Sequence, residues 1–164
     1  PFLRNIPTHS VLIALEEEKE IVLGITYMPA MNLFCYGIKG VGAFLNDKPI
    51  KVSQTSDLSQ AMGSSLGIIE KCDTPEGKQL LAMMGSIDYS YGFMDAYTYI
   101  CIASGKLDLC ANLLDKPWDC AAAACIISEA GGKYSDLRGV PSIYNGSIIF
   151  SNDRLHAQIL SYFK

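Results

Sequence analysis

Asp119 is the residue in this sequence best placed to do chemistry. It closes the string Pro117-Trp118-Asp119 and opens an alanine-rich run that leads through Ile126-Ile127-Ser128-Glu129-Ala130 to Gly131-Gly132. A strand-like segment, Leu107 to Ala111, lies shortly before it. A carboxylate at such a strand-to-helix junction can point into a crevice and ligate a hard cation, while the small side chains of Ala121 and Ala122 let the helix approach a sheet closely. The competing role is structural: Asp is among the best N-cap residues, and such a cap is worth about 1 kcal/mol with or without a metal.

The elements that must position Asp119 can be read from pattern. Two apolar runs, His9 to Leu15 and Ile21 to Tyr27, flank the charged turn Glu16-Glu17-Glu18-Lys19-Glu20 and predict adjacent antiparallel strands. Leu33 to Tyr36, Ala43 to Leu45 and Pro49 to Val52 continue the meander, with a tight turn at Asn46-Asp47. The polar stretch Ser53 to Ser59 reads as a connection and sets a subdomain boundary near residue 60, beyond which helices and strands alternate. Thr74-Pro75-Glu76 is a helix start, with Thr as cap and Pro at the first helical position, and predicts a helix over 75–84. Further helices are predicted over 95–104, over 119–130 with a stop at Gly131-Gly132, and over 155–163, with a buried strand at 147–150. The interleaving indicates a layered α/β fold.

Other motifs reduce to structure. Gly37, Gly40 and Gly42 approximate a glycine-rich loop, but no strand-GxGxxG-helix unit follows, so turn geometry is the reading and a dinucleotide site is rejected. His156 reads as a solvated residue of the terminal amphipathic helix, and His9 has no identifiable partner near its strand start. The cysteines, Cys110, Cys120 and Cys125 among them, sit mostly in apolar stretches without a CxxC pair and read as buried reduced thiols, which suits a cytoplasmic protein.

Composition narrows the classes further. The 164 residues are 49% hydrophobic and 10% aromatic, enough for a substantial core, and a net charge of −4 without a Lys/Arg cluster argues against neutralising a nucleic-acid backbone. The longest apolar runs are too short to span a bilayer.

The string Trp118-Asp119-Cys120-Ala121-Ala122 with Glu129-Ala130-Gly131-Gly132 resembles the C-terminal signature of the inositol monophosphatase family. Gly40-Val41-Gly42-Ala43-Phe44-Leu45-Asn46 resembles that family's GxGAFxNG segment, with Asp47 for the usual Gly, and Ala103 to Asp108 its VAxGRxD segment, with Lys106 for Arg. Phe2-Leu3-Arg4-Asn5-Ile6-Pro7 resembles the stretch that in the family directly follows a DPIDGT motif. The resemblance covers the whole chain. It implies a layered αβαβα sandwich lacking its N-terminal portion, with residues 1–60 as the remainder of an antiparallel α+β subdomain and 61–164 as a C-terminal α/β subdomain. Roughly 90 residues of a typical member would precede Pro1, most metal ligands among them.

The same resemblance implies magnesium-dependent hydrolysis of a small phosphate monoester by metal-activated water, with Asp119 as the catalytic residue and metal ligand of this half. The 164 residues alone are then expected to be inactive. Asp95 and Asn112 fall where relatives hydrogen-bond the alcohol part of the substrate. Asn112 replaces a Glu usual in inositol-hydrolysing animal enzymes, while Asp95 resembles the acidic residue of a GGDxYxY pattern in histidinol-phosphatase-like members, with Phe93 and Met94 for the glycines. Asp95 can equally cap the 95–104 helix. Relatives are commonly homodimers, and the expected partner is a small phosphorylated metabolite. A 3′(2′),5′-bisphosphate nucleotidase of the same family, or an inactive fragment acting as an interaction subunit, are the alternatives.

Overall fold

A computed structural model describes residues 2–92 and 95–164. Strands β1 (Val11–Glu17), β2 (Glu20–Met28), β3 (Leu33–Ile38), β4 (Gly42–Leu45) and the short β5 (Lys48–Pro49) form the antiparallel meander in chain order. Two of its turns are two-residue hairpins, Glu18-Lys19 and Asn46-Asp47, with φ of 52° and 69° in the first and 48° and 62° in the second. Positive φ at both central residues matches the twist of the flanking strands.

The register lines up small residues across this sheet: Ala14 lies opposite Gly24, Gly24 opposite Gly37, and Gly37 opposite Ala43. Helix α4 (Pro117–Glu129) is pressed against this row. A Cβ on Gly24 would stand 2.2 Å from the carbonyl oxygen of Ala122, and one on Gly37 would stand 2.7 Å from the Cα of Ile126. Positions 122 and 126 lie on one face of the helix. The two glycines therefore set how close α4, and the Asp119 it carries, can come to the first sheet.

The second sheet has the order β7-β6-β8-β10-β9, built from β6 (Met62–Leu66), β7 (Tyr89–Tyr91), β8 (Leu109–Asn112), β9 (Gly132–Ser135) and β10 (Ile148–Asn152). β6 runs parallel to β7 and β8, and β10 runs antiparallel to β8 and β9. Side-chain alternation supplies two cores. Cys110, Ile148 and Phe150 join α3 (Asp95–Ala103) and α4 between the sheets, whereas Leu109, Ala111 and Ile149 join α2 (Pro75–Met84) and α5 (Asp153–Leu160) on the far face. The short α1 (Ile68–Lys71) precedes α2. The layers run sheet, helices, sheet, helices, four of the five expected. On the outer face of the first sheet Val11, Ile13 and Leu15 are about half exposed.

Local signals fixed several boundaries. Thr74 caps α2, its Oγ1 accepting from the Gly77 amide at 3.1 Å, with Pro75 at the first position. The chain crosses from one sheet to the other over residues 50–61, and Asp108 anchors that crossing by accepting from Ser53 Oγ and from the Met62 amide. Asn152 adds bonds to Ser53 Oγ at 2.8 Å and to the Thr55 carbonyl at 2.9 Å. Of the six cysteines, five are buried and Cys72 is exposed, and all are free thiols.

Two expectations are corrected. The closing helix starts at Asp153, capped by Asn152, and it does not carry His156 on its solvent face. His156 is buried, with Nε2 3.0 Å from Ser135 Oγ and Nδ1 2.8 Å from Ser151 Oγ, because both serines reach it from the adjacent strands β9 and β10. Burial, helped by the charge of Lys133 and opposed by Asp153, pushes its pKa from 6.5 down to about 4. The unfolded chain therefore binds a proton near pH 6.5 that the folded chain refuses until about pH 4, so stability is lost as pH falls through that window. Between pH 7 and pH 5 this group alone removes about 2 kcal/mol. Urea midpoints measured at the two pH values should fall accordingly, and a His156→Gln variant should flatten the difference. Equal midpoints in the unmodified chain would contradict the assignment.

Candidate active site

Asp119 owes its position to Pro117. The chain leaves β8 through Leu113 to Lys116, and Lys116 holds extended backbone at the cap of α4 with φ −117° and ψ 151°. Pro117 takes the first helical position, where a missing N–H costs nothing and φ is already set. The helix thus begins two residues earlier than expected, and Asp119 sits inside its first turn instead of capping it. Its amide donates to the Lys116 carbonyl at 2.9 Å. No side-chain hydrogen bond from another described residue engages its carboxylate, which is exposed to a cleft. The helix N-terminus behind it favours negative charge there.

The cleft has a volume of about 500 Å³ and is lined by Asp95, Asp115 and Asp119, by Tyr99, and by Thr8, His9 and Ser10 from the segment entering β1, together with apolar side chains. Asp95 is the first residue of α3, in the left-handed region at φ 45°, and accepts from Thr8 Oγ1 at 2.9 Å. That bond ties the start of α3 to the first sheet across the cleft. Phe93 and Met94, the replacements for the glycines of the resembling pattern, lie outside the described residues.

Asn112 is not in the cleft lining. It is buried, its Oδ1 accepting from the Leu66 amide at 3.0 Å and its Nδ2 donating to Tyr99 Oη at 3.1 Å and to Asp115 Oδ2 at 2.9 Å. All of this capacity is spent inside the protein, because β8 pairs with β6 at this register and turns the side chain inward. Asn112 supports Asp115 from behind.

Asp115 itself escapes a reading of the sequence, where it looks like an ordinary loop charge four residues before Asp119. Its Oδ2 accepts from Tyr99 Oη at 3.1 Å as well as from Asn112, and its amide donates to the Gly146 carbonyl at 3.1 Å. Burial raises its pKa, the donors of Asn112 and Tyr99 oppose the rise, and the charge of Asp119 adds to it. The loop carrying Gly146 is organised by Asp136, whose carboxylate accepts from the amides of Arg138 at 2.8 Å and Val140 at 2.9 Å and from Asn145 Nδ2 at 2.9 Å. Although burial alone would raise the Asp136 pKa, these donors and the Arg138 guanidinium hold it below the usual carboxylate range.

The donor set fits a magnesium ion in part. Asp119 offers one hard oxygen at the cleft, but among the described residues no three His, Cys, Asp or Glu side chains converge to hold a metal. Magnesium takes an octahedral shell of oxygens, which one carboxylate does not complete. No helix among the described residues is long and apolar enough to cross a membrane.

The model of the inositol monophosphatase family matches residues 1–164. A histidinol-phosphatase of Streptomyces coelicolor is 34% identical over 172 aligned positions, covering 98% of this chain and 64% of that protein. A histidinol-phosphatase of Chlorobaculum parvum is 30% identical over 164 positions, covering 98% of this chain and 62% of its own length. The solved inositol monophosphatase from Anabaena superposes with a TM-score of 0.88 at 26% identity, covering 98% of this chain and 68% of that one. The chain thus spans under two thirds of the length of the two histidinol-phosphatases.

Proposed function

Because this chain belongs to the inositol monophosphatase family, we propose that the protein it represents is a phosphoric monoester hydrolase that uses magnesium and acts on a small amino-alcohol phosphate of the histidinol phosphate type. The observation that carries the reading is the cleft in which Asp119 stands with two further carboxylates, Asp95 and Asp115, and with no Lys or Arg in the lining. One carboxylate serves a cation. The other two leave an excess of negative charge that favours a substrate whose organic part is positively charged.

In this proposal Asp119 holds one coordination position of magnesium, and the metal, when bound, supplies an activated water and neutralises charge on the phosphate. The remaining work belongs to the chain. Asp95, steadied by Thr8, faces the organic part of the substrate and pairs with its ammonium group. Asp115 holds a second negative charge at the cleft wall, kept in place by Tyr99 and Asn112. The apolar lining, Leu12, Leu66 and Leu114, offers the carbon skeleton of the substrate a surface to pack on beside these groups. The same family reading extends to a homodimer, and the buried thiols suit a cytoplasmic location.

Initial rates on histidinol phosphate, inositol 1-phosphate and adenosine 3′,5′-bisphosphate, measured side by side with the whole protein, test the substrate class. The expected order puts histidinol phosphate first by about tenfold or more, the size of one desolvated charge pairing gained or lost. A preference for inositol 1-phosphate would move the reading to a polyol phosphatase, and a preference for the bisphosphate to a nucleotidase.

A further inference from the structure

His9 has no partner that the sequence can show, yet the fold gives it a cleft. It lies just before β1, half-buried, and lines the same space as Asp95, Asp115 and Asp119. Its ring packs edge-on against Phe2, with centroids 5.2 Å apart and planes at 80°. Nδ1 stands 3.5 Å from the Ile6 carbonyl oxygen. A carbonyl can only accept, so this orientation suits the tautomer with its proton on Nδ1, in which the lone pair is on Nε2. No hydrogen bond from a described residue engages that nitrogen.

The rest of the lining makes this lone pair consequential. The carboxylates of Asp95, Asp115 and Asp119 accept, the Thr8 hydroxyl is spent on Asp95, and the Tyr99 hydroxyl is spent on Asp115. The side-chain wall of the cleft is therefore rich in acceptors, and among its described residues Ser10 keeps a hydroxyl donor uncommitted. Its complement is a ligand end that carries several N–H groups, and a substrate ammonium carries three. A polyol hydroxyl, with one donor and two lone pairs, would match it less well.

Resting on the phosphatase reading above, we propose that His9 is a specificity-determining residue: its Nε2 accepts a hydrogen bond from the amine of an amino-alcohol phosphate, sharing that group with Asp95. Asp95 supplies the charge, and His9 supplies an acceptor whose ring is packed edge-on against Phe2. Discrimination then comes from the number of N–H groups that find partners, in addition to net charge.

Two variants of the whole protein separate this role from ring packing. His9→Phe keeps a flat ring against Phe2 and removes the nitrogen, while His9→Gln restores an acceptor at similar reach. With histidinol phosphate, His9→Phe should raise KM about tenfold with kcat held within about threefold, and with inositol 1-phosphate KM should move less than about twofold. His9→Gln should return KM for histidinol phosphate to within about threefold of the parent, since one acceptor replaces another. An unchanged KM in His9→Phe, or an equal loss on both substrates, overturns the assignment while leaving the phosphatase reading intact. A parent protein that hydrolyses neither phosphate defeats that reading, and this inference with it.

Discussion

Phosphate release by the whole protein should fall by on the order of 10³-fold when Asp119 is replaced by Asn, with the fold unchanged. The size follows from what the carboxylate is free to do. It sits in the first turn of α4, exposed to the cleft, with no side-chain hydrogen bond from another described residue. A neutral amide of the same shape keeps that turn and loses most of the attraction for a magnesium ion, which prefers charged oxygen ligands. Because Lys116 and not Asp119 occupies the cap position, the cost to stability should stay within about 0.5 kcal/mol, the range of surface substitutions. Turnover and melting temperature measured together decide between the roles. A melting temperature lowered by several degrees with turnover retained would mean that Asp119 serves the helix and not the chemistry.

The second large effect lies away from the cleft. Gly24→Val should cost about 3 kcal/mol or more, the upper end of overpacking, because the obstruction is backbone and cannot rotate away. Its Cβ alone would fall 2.2 Å from the Ala122 carbonyl oxygen, so α4 must be lifted off the sheet before the rest of the side chain is placed. Since α4 carries Asp119, turnover should fall along with stability. Denaturant midpoints give the measurement, and a comparison site sharpens it. Gly40 has open space where a Cβ would go and only its φ of 74° to accommodate, so Gly40→Ala should cost only about 1 kcal/mol. A Gly24→Val variant no less stable than Gly40→Ala would show that the close approach of α4 to the sheet is not what holds the two layers together.

These two residues also mark what could be read in the sequence. The meander, the α2 start at Thr74-Pro75 and the Asn46-Asp47 hairpin were legible because each is encoded by neighbours in the chain: β-branched runs, a cap beside a proline, a turn pair tolerant of positive φ. The strand β7, Tyr89–Tyr91, was not, since three exposed residues acquire strand character only by pairing with β6. Gly24 looks like an ordinary strand glycine and Gly37 like part of a turn, until β3 takes in Gly37 and the register sets the two opposite each other under α4. His156 fits the pattern of a solvated helix face, and its burial is decided by serines on two strands.

At the site the division is the same. Asp119 stands out in the sequence because its motif is local, and the structure puts it in the first turn of α4 and not at the cap. Asn112 has its amide taken up inside the protein by the Leu66 amide, Tyr99 and Asp115, while Asp115 stands at the cleft wall. His9 enters only because the first sheet brings its leading segment to the start of α3, through the Thr8 bond to Asp95. No spacing in the sequence carries those contacts across 87 positions.

The most direct measurement is phosphate release from histidinol phosphate by the whole protein, with magnesium present and again after an excess of chelator. Steady turnover that the chelator abolishes and added magnesium restores is the predicted result. Turnover unchanged in excess chelator, or none from any small phosphate monoester with magnesium supplied, would contradict the reading of this cleft as half of a metal-assisted phosphatase site.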